Sequence, residues 1–95
     1  MKTIWKYELK VTDEQVISVP VGAQALAVQV QGVGLCGALC IWALVDSEAE
    51  LRHRTVYIHG TGHEVSLGAQ SGRHIGTVQL AGGALVFHVF VGAEF

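Results

Sequence analysis

Charge is what this chain has least of. From Gln15 to Val45, a third of its length, there is no Asp, Glu, Lys or Arg. A chain of 95 residues has a high ratio of surface to volume and normally scatters charge along every strand. So long an uncharged stretch implies surface that touches protein rather than water. The six basic residues are dispersed as Lys2, Lys6, Lys10, Arg52, Arg54 and Arg73, and the formal net charge is -2. Without a basic stripe the chain is not expected to bind duplex nucleic acid. A membrane span is not expected either. The most apolar run, Val33 to Val45, is shorter than the roughly twenty residues a spanning helix needs. Gln24, Gln29 and Gln31 stop it from extending backwards. The start at Met1 lacks the apolar core and small-residue cleavage site of a signal peptide.

Cysteine and proline are also scarce. Cys36 and Cys40 are the only cysteines, and their spacing matches no zinc pattern. Buried free thiols in a reducing cytoplasm are the simplest expectation. Pro20 is the single proline, whereas Gly occurs twelve times. With 51% apolar residues and a mean hydropathy of +0.43, the chain is too apolar for disorder. No helical period is sustained. Short apolar or alternating runs between Gly clusters point to one all-β domain over residues 1–95.

Seven strands are predicted, forming a compact antiparallel sandwich or barrel. Thr3 to Leu9 alternates, with Trp5, Tyr7 and Leu9 on one face. Gln15 to Val19 ends at Pro20, which cannot donate to a ladder. Leu26 to Gln31 sets Leu26, Val28 and Val30 against Ala27, Gln29 and Gln31. Leu39 to Val45 is apolar on both faces. Arg54 to His59 alternates around Val56 and Ile58. His74 to Leu80 is the weakest signal. Leu85 to Val91 is again apolar on both faces, interrupted by His88. The charged run Asp46 to Arg54 reads as a solvated loop, with one helical turn in it. A strand apolar on both faces must be covered twice, once by the opposing sheet and once by something else. A second subunit is the simplest cover, so homo-oligomerisation is expected through Leu39, Ile41, Trp42, Phe87, His88 and Phe90.

Five histidines are the only reactive-looking groups. His59 and His63 stand four apart, a zinc spacing on a helix, but the glycines at 60 and 62 argue against a helix. On a turn they would need His74 or His53 as a third ligand, and no metal or cofactor is expected. Gly60-Thr61-Gly62 has a different potential. Glycines let backbone N–H groups approach an anion, and the threonine hydroxyl adds a donor. Arg73 and His74, across the predicted hairpin, would add charge. His59, Thr61, His63, Arg73 and His74 are therefore the candidate site for a small anionic or nucleotide-like ligand. A hairpin requiring positive φ explains the glycines equally well. Catalysis has little support: no Ser/His/Asp order stands out, and His63 and Glu64, as neighbours on a strand, point to opposite faces.

The segments Met1-Lys2-Thr3-Ile4-Trp5-Lys6-Tyr7-Glu8-Leu9, Trp42-Ala43-Leu44-Val45-Asp46, Gly60-Thr61-Gly62-His63 and Gly82-Gly83-Ala84-Leu85-Val86-Phe87-His88-Val89-Phe90 resemble a family of small uncharacterised proteins of tailed bacteriophages and prophages. The chain departs from that pattern at Gly34 to Cys40, which is longer and more apolar. The resemblance implies no activity, ligand or site residue. It implies a non-catalytic accessory protein in the host bacterial cytoplasm. Such a protein would act in counter-defence, sequestering a nucleotide-like signal or binding a host protein. A virion structural or decoration protein is the alternative, and a small metal-dependent enzyme ranks last.

Overall fold

The computed structural model describes residues 1–32 and 37–95. Seven strands form two antiparallel sheets: β1 (Lys2–Leu9), β2 (Glu14–Pro20), β3 (Gln24–Gln31), β4 (Ala38–Asp46), β5 (Leu51–Gly60), β6 (Arg73–Leu80) and β7 (Leu85–Val91). A five-residue helix, α1 (Leu67–Ser71), lies between β5 and β6. One sheet runs β1-β4-β3 and the other β2-β5-β7-β6. The thinnest extent is 16 Å, which suits two layers packed about 10 Å apart. Among the described residues no helix is long and apolar enough to cross a membrane.

β4 runs through the middle of the three-stranded sheet, so its alternation sets the core. Leu39, Ile41, Ala43 and Val45 face inward and are 0–3% exposed. They meet Val56, Ile58, Val89 and Val91 from the other sheet, with Val19 and Phe95 closing the ends. Burying each such Val or Ile contributes about 1.5–3 kcal/mol. This corrects the interface expected at Leu39 and Ile41: both are spent on the intramolecular core. The outward residues of β4 are covered partly by the chain itself. The Lys6 Nζ donates to Gln31 Oε1 at 2.8 Å, and that oxygen lies 4.0 Å from the Cys40 thiol, which is a buried free cysteine. Trp42 is half-buried beside them. Cys36 lies outside the described residues.

A bulge between Ala25 and Ala27 shifts the face of β3. Ala25 and Val28 face inward, whereas Leu26, expected beside Val28, is exposed. The charged run after β4 is also reassigned. Only a tight turn follows Asp46, and β5 begins at Leu51 because Leu51–Arg54 pair with Ile17–Pro20.

β7 inserts between β5 and β6, although β6 precedes it in the chain. On one side the sandwich is sealed, because the edges β3 and β6 meet. The Arg73 guanidinium donates to the carbonyls of Ala25 (3.1 Å) and Phe95 (2.7 Å). Gly76 lies against Val28, where a Cβ would come within 2.6 Å of the Val28 Cγ1. On the opposite side β1 and β2 are both edges.

Candidate functional site

β5, β7 and β6 lie side by side, so residues far apart in sequence line up across the outer face of their sheet. Register pairs His59 with His88, and His88 with Thr77. The side chains form one continuous hydrogen-bonded chain. Thr61 Oγ1 is 2.8 Å from His88 Nε2. His88 Nδ1 is 3.0 Å from Thr77 Oγ1, and Thr77 Oγ1 is 3.2 Å from His74 Nε2. Phe90 supports His74 edge-on, with ring centroids 5.2 Å apart.

A neutral imidazole has one donor and one acceptor nitrogen, and each hydroxyl has one proton to give. The chain therefore has two self-consistent directions. If His74 Nε2 donates to Thr77, Thr77 donates to His88 and His88 donates to Thr61, leaving the Thr61 proton free. Reversed, Thr61 donates to His88 and its oxygen is left to accept. The polarity of Thr61 is thus tied to the tautomer that His74 adopts at the far end of the chain.

Thr61 also borders an open pocket of about 220 Å³ lined by Gly60, Thr61, His63 and Ala84–Phe87. The walls follow from local chain chemistry. His63 N–H donates to the Gly60 carbonyl, closing a turn with φ +86° at Gly62, the type II pattern that favours glycine. The His63 ring lies over Gly60, where a Cβ would stand 3.0 Å from its Nδ1. Opposite, Thr61 N–H donates to the Val86 carbonyl at 3.2 Å. The link from β6 to β7 carries positive φ at Ala81, Gly82 and Gly83. That tight reversal brings Ala84 and Leu85 to the pocket mouth.

The expected site residues thus separate. Thr61 and His63 line the pocket, and His74 reaches it through Thr77 and His88. His88 and Phe90, expected at an interface, are half-buried on this face, whereas Phe87 lines the pocket and packs against the core. His59 sits beneath the following loop, 3% exposed. Its Nε2 is 3.3 Å from Ser66 Oγ and 3.5 Å from Ser66 N. Ser66 Oγ already accepts from the Ala69 N–H as the cap of α1, so its own proton is available to His59 Nε2. The remaining nitrogen, Nδ1, is buried without a partner among the described residues. Arg73 does not join the site. β7 intervenes between β5 and β6, so Arg73 faces the sealed seam and its guanidinium is engaged there. No group of three or more His, Cys, Asp or Glu among the described residues is placed to hold a metal ion. His53 stands at the other end of β5, opposite Ser18.

Thr77 and Ser66 escape a residue-by-residue search. Thr77 was legible from the hairpin alone: once Leu80 faces Leu85, counting back three and forward three sets Thr77 opposite His88.

A family described as a domain of unknown function (DUF7352) matches residues 1–95. No curated protein and no solved structure matches the chain.

Proposed function

The chain belongs to the DUF7352 family, and from that premise we propose a non-catalytic binding protein that takes a small nucleotide-like or anionic ligand at Thr61 and His63. The pocket between Gly60–His63 and Ala84–Phe87, with the Thr61 hydroxyl at its wall hydrogen-bonded to His88, is the observation that carries this reading. Leu85, Val86 and Phe87 offer apolar contact to a flat ring, and Thr61 and His63 offer polar contact to its edge or to an attached oxygen. No Lys or Arg lines the pocket, so recognition of charge falls to imidazoles and hydroxyls. A ligand oxygen accepting from Thr61 favours the direction of the chain in which His88 donates to Thr61 and the Thr61 proton is free.

The arrangement favours binding over turnover. Thr61 and His88 are within reach of one another as nucleophile and base would be, but the other nitrogen of His88 meets a threonine hydroxyl. A hydroxyl orients an imidazole without stabilising its protonated form as a carboxylate does. If the resemblance to tailed-phage and prophage proteins holds, the role lies inside the host bacterial cytoplasm, where capture of a host defence nucleotide would be counter-defence. The test is a thermal-shift panel of mono-, di- and cyclic nucleotides. A ligand at a hundred times its dissociation constant adds about 2.7 kcal/mol, a rise of about 11–22 °C. Thr61→Val should abolish that rise, and a panel with no shift at millimolar concentration would sink the reading.

A further inference from the structure

The outer edge of β1 is unpaired: no described strand lies beyond it. Such an edge presents a row of main-chain donors and acceptors, and soluble proteins normally blunt it with a bulge, a proline or a covering segment. The other edges of this molecule are blunted. β3 and β6 each carry a bulge and close on one another. β2 ends in Pro20. β1 is eight residues long and regular in its pairing with β4, with no bulge, proline or covering segment among the described residues; the charges of Lys2, Lys6 and Glu8 are its only edge protection.

Its side chains report the same vacancy. Trp5 faces inward, in register with the fully buried Ala43, yet is 36% exposed. Ile4, on the outer face, is 56% exposed. An aromatic ring in the middle of an inward strand face is open to solvent because the layer ends there.

We propose that the occupant of this edge is a second copy of the same chain, pairing β1 to β1 antiparallel about a twofold axis through Trp5. The charge pattern selects this partner and this register. Opposed residues must share a face, so the axis falls on a residue and steps by one. With the axis on Trp5, Lys2 stands opposite Glu8 of the second copy, and Glu8 opposite its Lys2. Thr3 meets Tyr7, Ile4 meets Lys6, and the two Trp5 side chains meet at the axis. An axis on Ile4 sets Lys2 against Lys6, and one on Lys6 sets that lysine against itself. An axis on Tyr7 restores an attractive Lys6–Glu8 pair but shortens the ladder to residues 5–9. Only the Trp5 axis pairs nearly the whole strand with opposite charges facing. β2 has no such self-complementarity, since Glu14 is its only charge. The contact is isologous and joins the two three-stranded sheets into one of six. It is independent of the ligand pocket on the other sheet.

Sedimentation equilibrium of the full chain at micromolar concentration tests the proposal. Wild type should sediment at twice the 10.1 kDa chain mass. Lys2→Glu and Glu8→Lys each set like charges opposite one another at two places and should each weaken dimerisation about tenfold or more. The double variant exchanges the charges and should return to within about threefold of wild type. Circular dichroism checks that each variant keeps its sheet signal. If one single variant fails to fold, the other and the double still decide. A 10.1 kDa species throughout overturns the proposal, as does a dimer that the single variants leave unchanged or the double does not restore.

Discussion

Replacing Arg73 with methionine probes the seam that closes one side of the sandwich. The guanidinium holds two main-chain oxygens, Ala25 at 3.1 Å on β3 and Phe95 at 2.7 Å beyond β7. A hydrogen bond from a charged donor contributes about 1.5–3 kcal/mol. Both bonds leave from the same Nη2 in a partly buried setting, so the lower value applies to each, and their loss costs about 3 kcal/mol. Methionine keeps most of the apolar stem, which isolates the polar contribution. In a chain of this length each kcal/mol moves Tm by about 4–8 °C, so Arg73→Met should lower it by about 12–24 °C. Urea denaturation followed by tryptophan fluorescence gives the free energy directly. Arg73→Lys, a point charge without the fork, should retain roughly one bond and fall between the two. The same variants separate structure from binding. Any nucleotide-induced rise in Tm should persist in Arg73→Met, because Arg73 is remote from Thr61. A loss below about 0.5 kcal/mol would refute the seam as a source of stability.

Three further outcomes follow from the geometry. Tyr7 has a buried hydroxyl without a partner among the described residues, and burial pushes its pKa up. Tyr7→Phe should therefore leave stability unchanged or raise it by up to about 1 kcal/mol in urea titrations, and a loss above that would mean the hydroxyl is bonded. Gly76→Ala places a methyl 2.6 Å from the Val28 Cγ1 and should cost about 1–3 kcal/mol by calorimetry; a neutral result would mean that β3 and β6 part easily. Asp46 is held below its ordinary pKa, first by the Glu48 N–H and then by the Met1 ammonium. A carboxyl with a lowered folded pKa adds stability that is present above its unfolded value and lost as pH falls through the folded one. Wild type should therefore lose more Tm than Asp46→Asn when taken from pH 5 to pH 2, and parallel acid limbs would contradict the assignment.

The strands were legible because their signal is local. Leu85–Val91 has the same bounds as an apolar run and as a strand, and β4 differs by one residue at each end. What was not legible depends on pairing. Leu26 reads as inward by simple alternation, but a bulge adds a residue and returns Val28 to the core. Leu51, Arg52 and His53 read as loop because charge marks solvent, yet β2 holds them in β5 opposite Pro20, Val19 and Ser18. Arg54 reaches Glu94 there, at 3.8 Å. α1 is too short to show a period. In the site, Thr61 and His63 announce themselves beside glycines. Arg73 was placed with them on the assumption that successive strands neighbour each other, and the insertion of β7 breaks that assumption. Two-sided apolar strands were taken to mean an interface; β4 and β7 both run through the interior of their sheets, with one face of each spent on the core.

The position of β7 also bears on how the chain is made. Until residues 85–91 exist, β5 and β6 have nothing between them, and β6 has no main-chain partner at all. A growing chain on the ribosome can assemble the three-stranded sheet early, since β1, β3 and β4 are all complete by Asp46. The four-stranded sheet must wait for β7 to emerge. Thr61, His88, Thr77 and His74 come together only then, so this hydrogen-bonded face is absent until residues 85–91 have been made and arrives in one step with them.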